Sequence, residues 1–540
     1  MRQYHWSRTT LALAMLAALS TASGFSLDDP PLPSKEVMSG ITIRGLKKHV
    51  GFLASDEMGG RYAFSQGNRI AARYLASQLE SYGYRGAARD GSFFQKVPIT
   101  HGAVDVSKSG LTLTAQGKSY DFTYEKDYML ESPMVAAILE NAKSDLVFVG
   151  YGISSPRNNY DDYAGLDVRG KFVITTKGTP PPLKGVKLDE AEMSRLTAEA
   201  HGARGLIVIS EGLLSNYAGF SAGYAQRPYF RIAHSAPASA MVFQVVQAGP
   251  ALVKALAKVL GQEESFLISP GDAPLKSTAI PATIEIKTHF TVEDQPSTFN
   301  VVALLDGADA KLKDEYIALG AHYDHLKSGN QGEIYNGADD NASGTAAVLE
   351  MARAFAAGPR PRRSILVIFY TAEEIGLLGS RFFTDHEPLV SLEKIVANFN
   401  LDMVGRSGGK ENALPNDDLT DKDTVFLLGA GKRSTELYQI SERTNAETVR
   451  LRLDHTYKGP RGLMFLRSDH YNFNRHGIPV IWYHTGGPSD YHQPTDDADK
   501  LDFEKMERIA RLAFATAWRV ANLDHRLIIG HQPAAKGARQ

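Results

Sequence analysis

The sequence contains no cysteine. That absence excludes disulfides, thiolate metal ligands and a lipid-modified N-terminal cysteine, so any metal must be held by nitrogen and oxygen. Charge of one sign is missing too, since 59 Lys and Arg stand against 61 Asp and Glu, a formal net charge of -2 at pH 7. The basic residues are scattered rather than massed. Nothing electrostatic therefore favours nucleic acid or an anionic membrane as partner. Beyond the first two dozen residues no apolar run reaches the about 20 residues of a membrane-spanning helix, and no internal repeat or low-complexity block is visible.

What is present is a chain of 540 residues, 43% hydrophobic and 22% charged, rich enough in apolar material for sizeable cores. Its length predicts two or more folded units, or one domain carrying a large insertion. Arg2 and Arg8 precede the apolar run Leu11 to Leu19, and the small residues Ser20, Ala22 and Gly24 follow it. That is the plan of a secretory signal peptide over residues 1–24. A short membrane anchor is the alternative, but the run is about half a span. Export to the periplasm or the medium is the expectation, with no membrane attachment after cleavage. A tail with Pro, Ala, Gly and Lys, residues 531–540, should be mobile.

After a Pro-rich opening, Gly67 to Tyr82 places Ile70, Ala71, Tyr74, Leu75 and Leu79 at helical spacing. Strand-like runs follow, Leu111 to Thr114 and Tyr120 to Tyr124, and residues 25–134 read as the first part of one domain. Residues 135–287 carry three apolar runs, LVFVGYGI, GKFVITTKG and ARGLIVIS, punctuated by Gly, Pro and Asp turns. They predict a small β-rich unit whose order resembles the protease-associated domain inserted into secreted peptidases, without a cluster of His or carboxylates. From residue 288 to 530, apolar strands alternate with amphipathic helices: FNVVALLDG, YIALGAHYDH, TAAVLEMARAFA, SILVIFYTAEE, KIVANFNLDMVG. The pattern is that of an α/β fold with a mostly parallel central sheet flanked by helices.

Ligands collect at the carboxyl ends of such strands, and there the chemistry-bearing residues stand. YIALGAHYDH ends in His322 and Asp324, the loop GADDNASG supplies Asp340, SILVIFYTAEE ends in Glu373 and Glu374, NFNLDMVG supplies Asp402, and DYHQPTDD supplies His492. Two imidazoles and three carboxylates suit zinc, with cobalt or manganese as substitutes. One bridging Asp with two further ligands per ion would fit a pair of ions about 3.5–4 Å apart. Of the adjacent glutamates, one must be a ligand and the other a base, because a carboxylate tied to zinc keeps little basicity.

The series GAHYDH, GADDNASG, TAEE, NLDMVG and DYHQPTDD resembles the co-catalytic di-zinc aminopeptidase family, which is related to glutamate carboxypeptidases and glutaminyl cyclases. The likeness spans Phe299 to Asp502, and LASDEMGGRYAFSQGNRIAARYLASQLESYGY extends it upstream. The resemblance implies a zinc-exopeptidase fold with an inserted protease-associated domain. His322 and Asp402 would complete one zinc site, Glu374 and His492 the other, and Asp340 would bridge them. Glu373 would be the general base towards a metal-activated bridging water, Tyr491 an oxyanion donor, Asp324 the residue orienting His322, and Asp496 a similar support near His492.

Neighbours compete for these roles. Asp339 is an alternative to Asp340, and His325, His455, His470 and His484 read as pocket or structural histidines. Ser468, Asp469 and His470 superficially suggest a nucleophilic triad, but no Gly-x-Ser-x-Gly elbow frames a serine. Ser343 is a candidate N-cap. The function implied is removal of N-terminal residues from peptides with a free amine. A carboxypeptidase of the same fold would need cations that grip the terminal carboxylate, with Lys458, Arg461 and Arg467 as candidates. A glutaminyl cyclase would carry one zinc, and a non-catalytic binding protein would have lost ligands, of which none is missing. The sequence carries no signal for an oligomeric state.

Overall fold

The helical spacing over Gly67 to Tyr82 folds as α1, Gln66–Ser81, capped by the Ser65 hydroxyl accepting from Asn68 N. Ala71, Leu75 and Leu79 are buried, but Ile70 is 38% exposed and so leaves the packed stripe. The computed structural model describes residues 29–130, 141–186, 188, 194–225, 229–233, 243–271, 275–329, 332–415, 417–457, 459 and 464–530. The signal-like leader 1–24, the tail 531–540, Lys458 and Arg461 lie outside the described residues. Among the described residues no helix is long and apolar enough to cross a membrane.

Two sheets organise the chain. The first begins with β1, Gly110–Ala115, and continues through β2, Asn141–Phe148, β3, Phe172–Thr176, β4, Gly205–Ile209, β5, Gln244–Ala248, and β6, Thr278–Lys287. β2, β3, β4 and β5 run parallel, and they contain the three apolar runs read from the sequence. β6 lies antiparallel between β1 and β2 and pairs with both. That pairing, with strands 118–123 and 128–130 at the two edges, draws residues 110–130 into this sheet, upstream of the expected boundary at 135. The physical reason is β6 itself: a strand with apolar residues on one face, Ile280, Ala282, Ile284 and Ile286, needs partners on both edges to satisfy its backbone.

The second sheet holds β7, Thr298–Leu305, β8, Tyr316–His322, β9, Ser364–Tyr370, β10, Ile395–Leu401, β11, Thr424–Leu428, and β12, Val480–His484. Its order runs β7-β9-β8-β10-β12-β11, with short strands at either edge. The fold is α/β as expected. β9, β8, β10 and β12 are parallel, whereas β7 and β11 join antiparallel, so the sheet is parallel at its centre and mixed at its margins. Every residue of β9 and β10 is buried, as a sheet covered on both faces requires. Helices α2, Gly344–Ala357, and α3, Phe503–Asn522, pack on one face, where the Phe355 and Phe514 rings meet edge to face at 4.6 Å. Phe383, Phe473 and Trp482 fill the other. Because His322 pairs with Tyr370 across β8 and β9, and Leu401 with Tyr483 across β10 and β12, the four parallel strands end nearly level.

Candidate metal centre

The loops leaving those level strand ends converge. Ala372, Met403 and His492 have φ of 56°, 58° and 58°, left-handed backbone that costs a non-glycine residue about 1–3 kcal/mol. Each is, or adjoins, a residue singled out in the sequence. The kinks turn Glu373, Glu374, Asp402 and His492 off the strand direction and into one cleft. Asp340 arrives from the other side, on the loop before α2. Gly344 lets that helix start against β10, since a Cβ there would stand 2.1 Å from the Leu401 carbonyl oxygen. Asn341 Oδ1, not Ser343, caps α2 by accepting from Gly344 N at 2.9 Å. The Ser343 hydroxyl is engaged elsewhere, donating to Asp339 O at 2.7 Å.

His322 Nε2 stands 3.2 Å from Asp340 Oδ1 and 3.4 Å from Asp402 Oδ1. His492 Nε2 stands 3.1 Å from both Asp340 Oδ2 and Glu374 Oε2. Asp340 thus offers one oxygen to each of two donor sets. The His322, Asp340 and Asp402 ligand atoms all lie within 4.8 Å of one another. Glu373 Oε2 is 3.9 Å from His322 Nε2 and belongs to neither close set.

The donor set fits divalent cations. His322 Nδ1 lies 3.2 Å from the Asp324 carbonyl, which can only accept, so Nδ1 carries the proton and Nε2 presents its lone pair to the cluster. His492 Nε2 is aimed between its two carboxylate neighbours, Asp340 and Glu374. Burial would lower both histidines, yet the carboxylates dominate, raising His322 well above its ordinary value and His492 to about 10. Four buried carboxylates gathered around two imidazoles call for counter-cations.

The adjacent glutamates divide. Burial pushes Glu373 well above its ordinary value, and Glu374 and Asp402 push it further against the pull of His322. Glu374 is also raised by burial, but His492 and His325 outweigh that and hold it at about 2. The environments of these two neighbouring carboxyls thus drive them apart, Glu373 towards the protonated form and Glu374 towards the anion.

Of the two expected supports, one is met through its backbone and the other acts elsewhere. Asp324 does orient His322 through its second ring nitrogen, but with its backbone carbonyl at 3.2 Å, the carboxylate standing 3.8 Å from Nδ1. Its carboxylate is turned instead to the backbone N–H groups of Glu373 and Glu374, at 3.1 and 3.4 Å. Asp496 touches no histidine ring nitrogen by hydrogen bond. It accepts from Asp339 N and Asp340 N at 3.0–3.1 Å and so pins the bridging loop. Asp339 points away from the cluster, accepting from Gly405 N at 2.7 Å.

Other residues enter that the sequence did not single out for these positions. His325 Nδ1 lies 2.7 Å from Glu374 Oε1 and, with Asp340 and Glu374, forms a second group of possible ligands. His492 is the better placed of the two histidines, because His325 Nδ1 is 3.9 Å from Asp340 Oδ2. Arg61, fully buried on the segment before α1, donates to the carbonyls of Leu53, Tyr323, Asn336 and Gly337 at 2.5–2.9 Å, and so ties both ligand loops together. The Ser468 hydroxyl donates to Asp402, which removes it from any triad with Asp469 and His470. Tyr491 lines the cleft with Met403, Met464, Arg467 and Trp482. Its ring stacks on His492 at 3.8 Å and its oxygen accepts from Arg467 Nη2 at 3.2 Å.

Residues 300–517 match the profile of peptidase family M28, and the chain carries a domain of that family there. Aminopeptidase YwaD of Bacillus subtilis is 30% identical over 244 residues, 44% of this chain and 47% of that protein. A probable zinc metalloprotease of Pyrenophora tritici-repentis is 28% identical over 261 residues, 41% of this chain and 56% of that protein. The chain thus matches about half the length of these relatives. Among solved structures, an aminopeptidase from Aneurinibacillus sp. strain AM-1 covers 92% of this chain and 98% of its own at 21% identity, with a TM-score of 0.45.

Proposed function

We propose that the peptidase family M28 domain acts as a two-zinc aminopeptidase, removing N-terminal residues from peptides with a free amine. The observation that carries this reading is Asp340, whose two oxygens stand 3.2 and 3.1 Å from imidazole nitrogens on opposite sides. His322, Asp340 and Asp402 would hold one ion, and Asp340, Glu374 and His492 the other. The aminopeptidase and zinc metalloprotease names of the relatives support the activity and the metal. The leader-like residues 1–24 support export to the periplasm or the medium.

When bound, the pair of ions supplies Lewis acidity, lowering the pKa of a water and polarising the scissile carbonyl. Glu373 accepts the proton released at that water and passes it to the leaving amine, a role for which it must stay uncoordinated. The Tyr491 hydroxyl oxygen is occupied by Arg467 as donor, so its own hydrogen is free to reach the developing oxyanion. Asp324 fixes the backbone of both glutamates, and Arg61 and Asp496 fix the loop of Asp340, so these positions are set before substrate arrives.

Hydrolysis of leucyl anilide tests the reading. Release from the free-amine substrate, stopped by chelator and restored by zinc, is the expected result. Equal release from N-acetylated leucyl anilide would oppose it.

A further inference from the structure

Arg467 follows the turn Met464–Leu466 and reaches the rim of the cleft. It is the one arginine or lysine among the described residues lining that cleft, whose walls also carry His322 and the carboxylates of Asp340, Glu373, Glu374 and Asp402. Other arginines near the site are committed: Arg61 to four carbonyls, Arg406 to Asp490 at 2.5 Å. Arg467 is an exposed residue, and its hydrogen bond is with the Tyr491 hydroxyl. No carboxylate among the described residues pairs with it. One N–H is used on Tyr491, and the remainder of a planar fork that matches a carboxylate stands in the lining of the cleft.

We propose that Arg467 is a specificity-determining residue that binds the free α-carboxylate of a dipeptide, an inference that rests on the aminopeptidase reading. Tyr491 connects Arg467 to His492 by one hydrogen bond and one ring stack, so the guanidinium stands about one side chain from the ions' ligands. Each further residue of an extended peptide moves the terminal carboxylate up to about 3.6 Å further from the scissile carbonyl. A dipeptide keeps it within reach of Arg467, whereas a long chain carries it out of the cleft. Without Arg467 the acidic walls would repel a substrate carboxylate, and the same walls attract the substrate's ammonium group. The cleft therefore discriminates the two ends of a short zwitterion.

The test is steady-state hydrolysis of leucyl-leucine and leucyl-leucinamide by the zinc-loaded full chain, wild type, Arg467→Met and Arg467→Lys. Wild-type kcat/KM should favour the free acid by about tenfold, the size expected of a hydrogen bond to a charged group, chiefly through KM. In Arg467→Met the ratio should fall to within about twofold of one, with Arg467→Lys between. A wild type without preference for the acid overturns the inference, as does a Met variant that loses both activities in proportion, which would make Arg467 a support for Tyr491 alone. Hydrolysis of neither substrate would sink the aminopeptidase reading and the inference with it. Cleavage of N-acetyl-leucyl-leucine would do the same in favour of a carboxypeptidase. Hydrolysis of both free-amine substrates at equal rates sinks only the inference.

Discussion

Ser468 donates its hydroxyl hydrogen to Oδ2 of Asp402 at 2.5 Å, leaving Oδ1 turned towards His322 at 3.4 Å. Asn400 Nδ2 in turn donates to the Ser468 oxygen at 2.7 Å, so the hydroxyl has one direction left for its hydrogen. Partners of this kind govern affinity by about 10–100-fold. Ser468→Ala should therefore bind zinc at the Asp402 side about tenfold more weakly while the Glu374 side is unchanged, as read by competition with a chromogenic chelator. Affinity equal to wild type at both sides would mean that the strand alone orients Asp402.

Glu373 is the proton carrier in this scheme and not a ligand. Glu373→Gln should keep its full metal content and lose about 10²–10⁴ in kcat, measured on leucyl anilide. A variant that turns over at the wild-type rate would remove Glu373 from the mechanism.

Much of this centre was legible from strand ends, because a parallel sheet places the residue after each apolar run at one edge. His322, Asp402 and the Glu373–Glu374 pair were found that way, and the order β8, α2, β9, β10 followed from spacing alone. Asp324 orients His322 through its carbonyl rather than its carboxylate, and Asp496 holds a loop rather than an imidazole, for a common reason. Sequence shows which carboxylates are near a ligand in number, but not whether they turn to a ring nitrogen or to a backbone N–H, and here both chose the backbone. Ser468 reaches Asp402 across 66 residues of chain, His325 reaches Glu374 across 49 and Arg61 reaches Gly337 across 276, and no local pattern marks such partners. The place of residues 110–130 was missed because β6, which claims β1, lies more than 160 residues downstream.

Asp496 stabilises the bridging loop through two backbone N–H groups, those of Asp339 and Asp340. Asp496→Ala leaves them without that acceptor in a buried setting, at a cost of about 1–3 kcal/mol in unfolding free energy, and zinc affinity should fall in parallel. Stability lost with affinity intact would confine Asp496 to a role in folding.

Far from the cleft, Glu350 ties the N-terminal segment to α2. It accepts from Thr42 N at 3.1 Å and from Arg353 at 2.7–3.0 Å, and it lies 3.6 Å from His49 Nε2. Burial would raise its pKa, but His49 and Arg353 prevail and bring it from 4.5 to about 2. A depressed acid stabilises the fold above its unfolded pKa, so this contribution is full at neutral pH and is lost as pH falls from about 4.5 towards 2. Glu350→Gln should be less stable than wild type at pH 7 by about 2–3 kcal/mol, and the gap should close across that acidic window in urea titrations. A gap independent of pH would mean that shape rather than charge holds the junction.

The sharing of Asp340 between two ions is tested most directly by zinc content, measured by mass spectrometry on purified chain after dialysis, for wild type and Asp340→Ala. Two zinc ions per chain in the wild type, and loss of both affinity and leucyl anilide hydrolysis in the variant, are the expected results. Two zinc ions retained by Asp340→Ala, or one in the wild type, would contradict a shared carboxylate at the heart of the site.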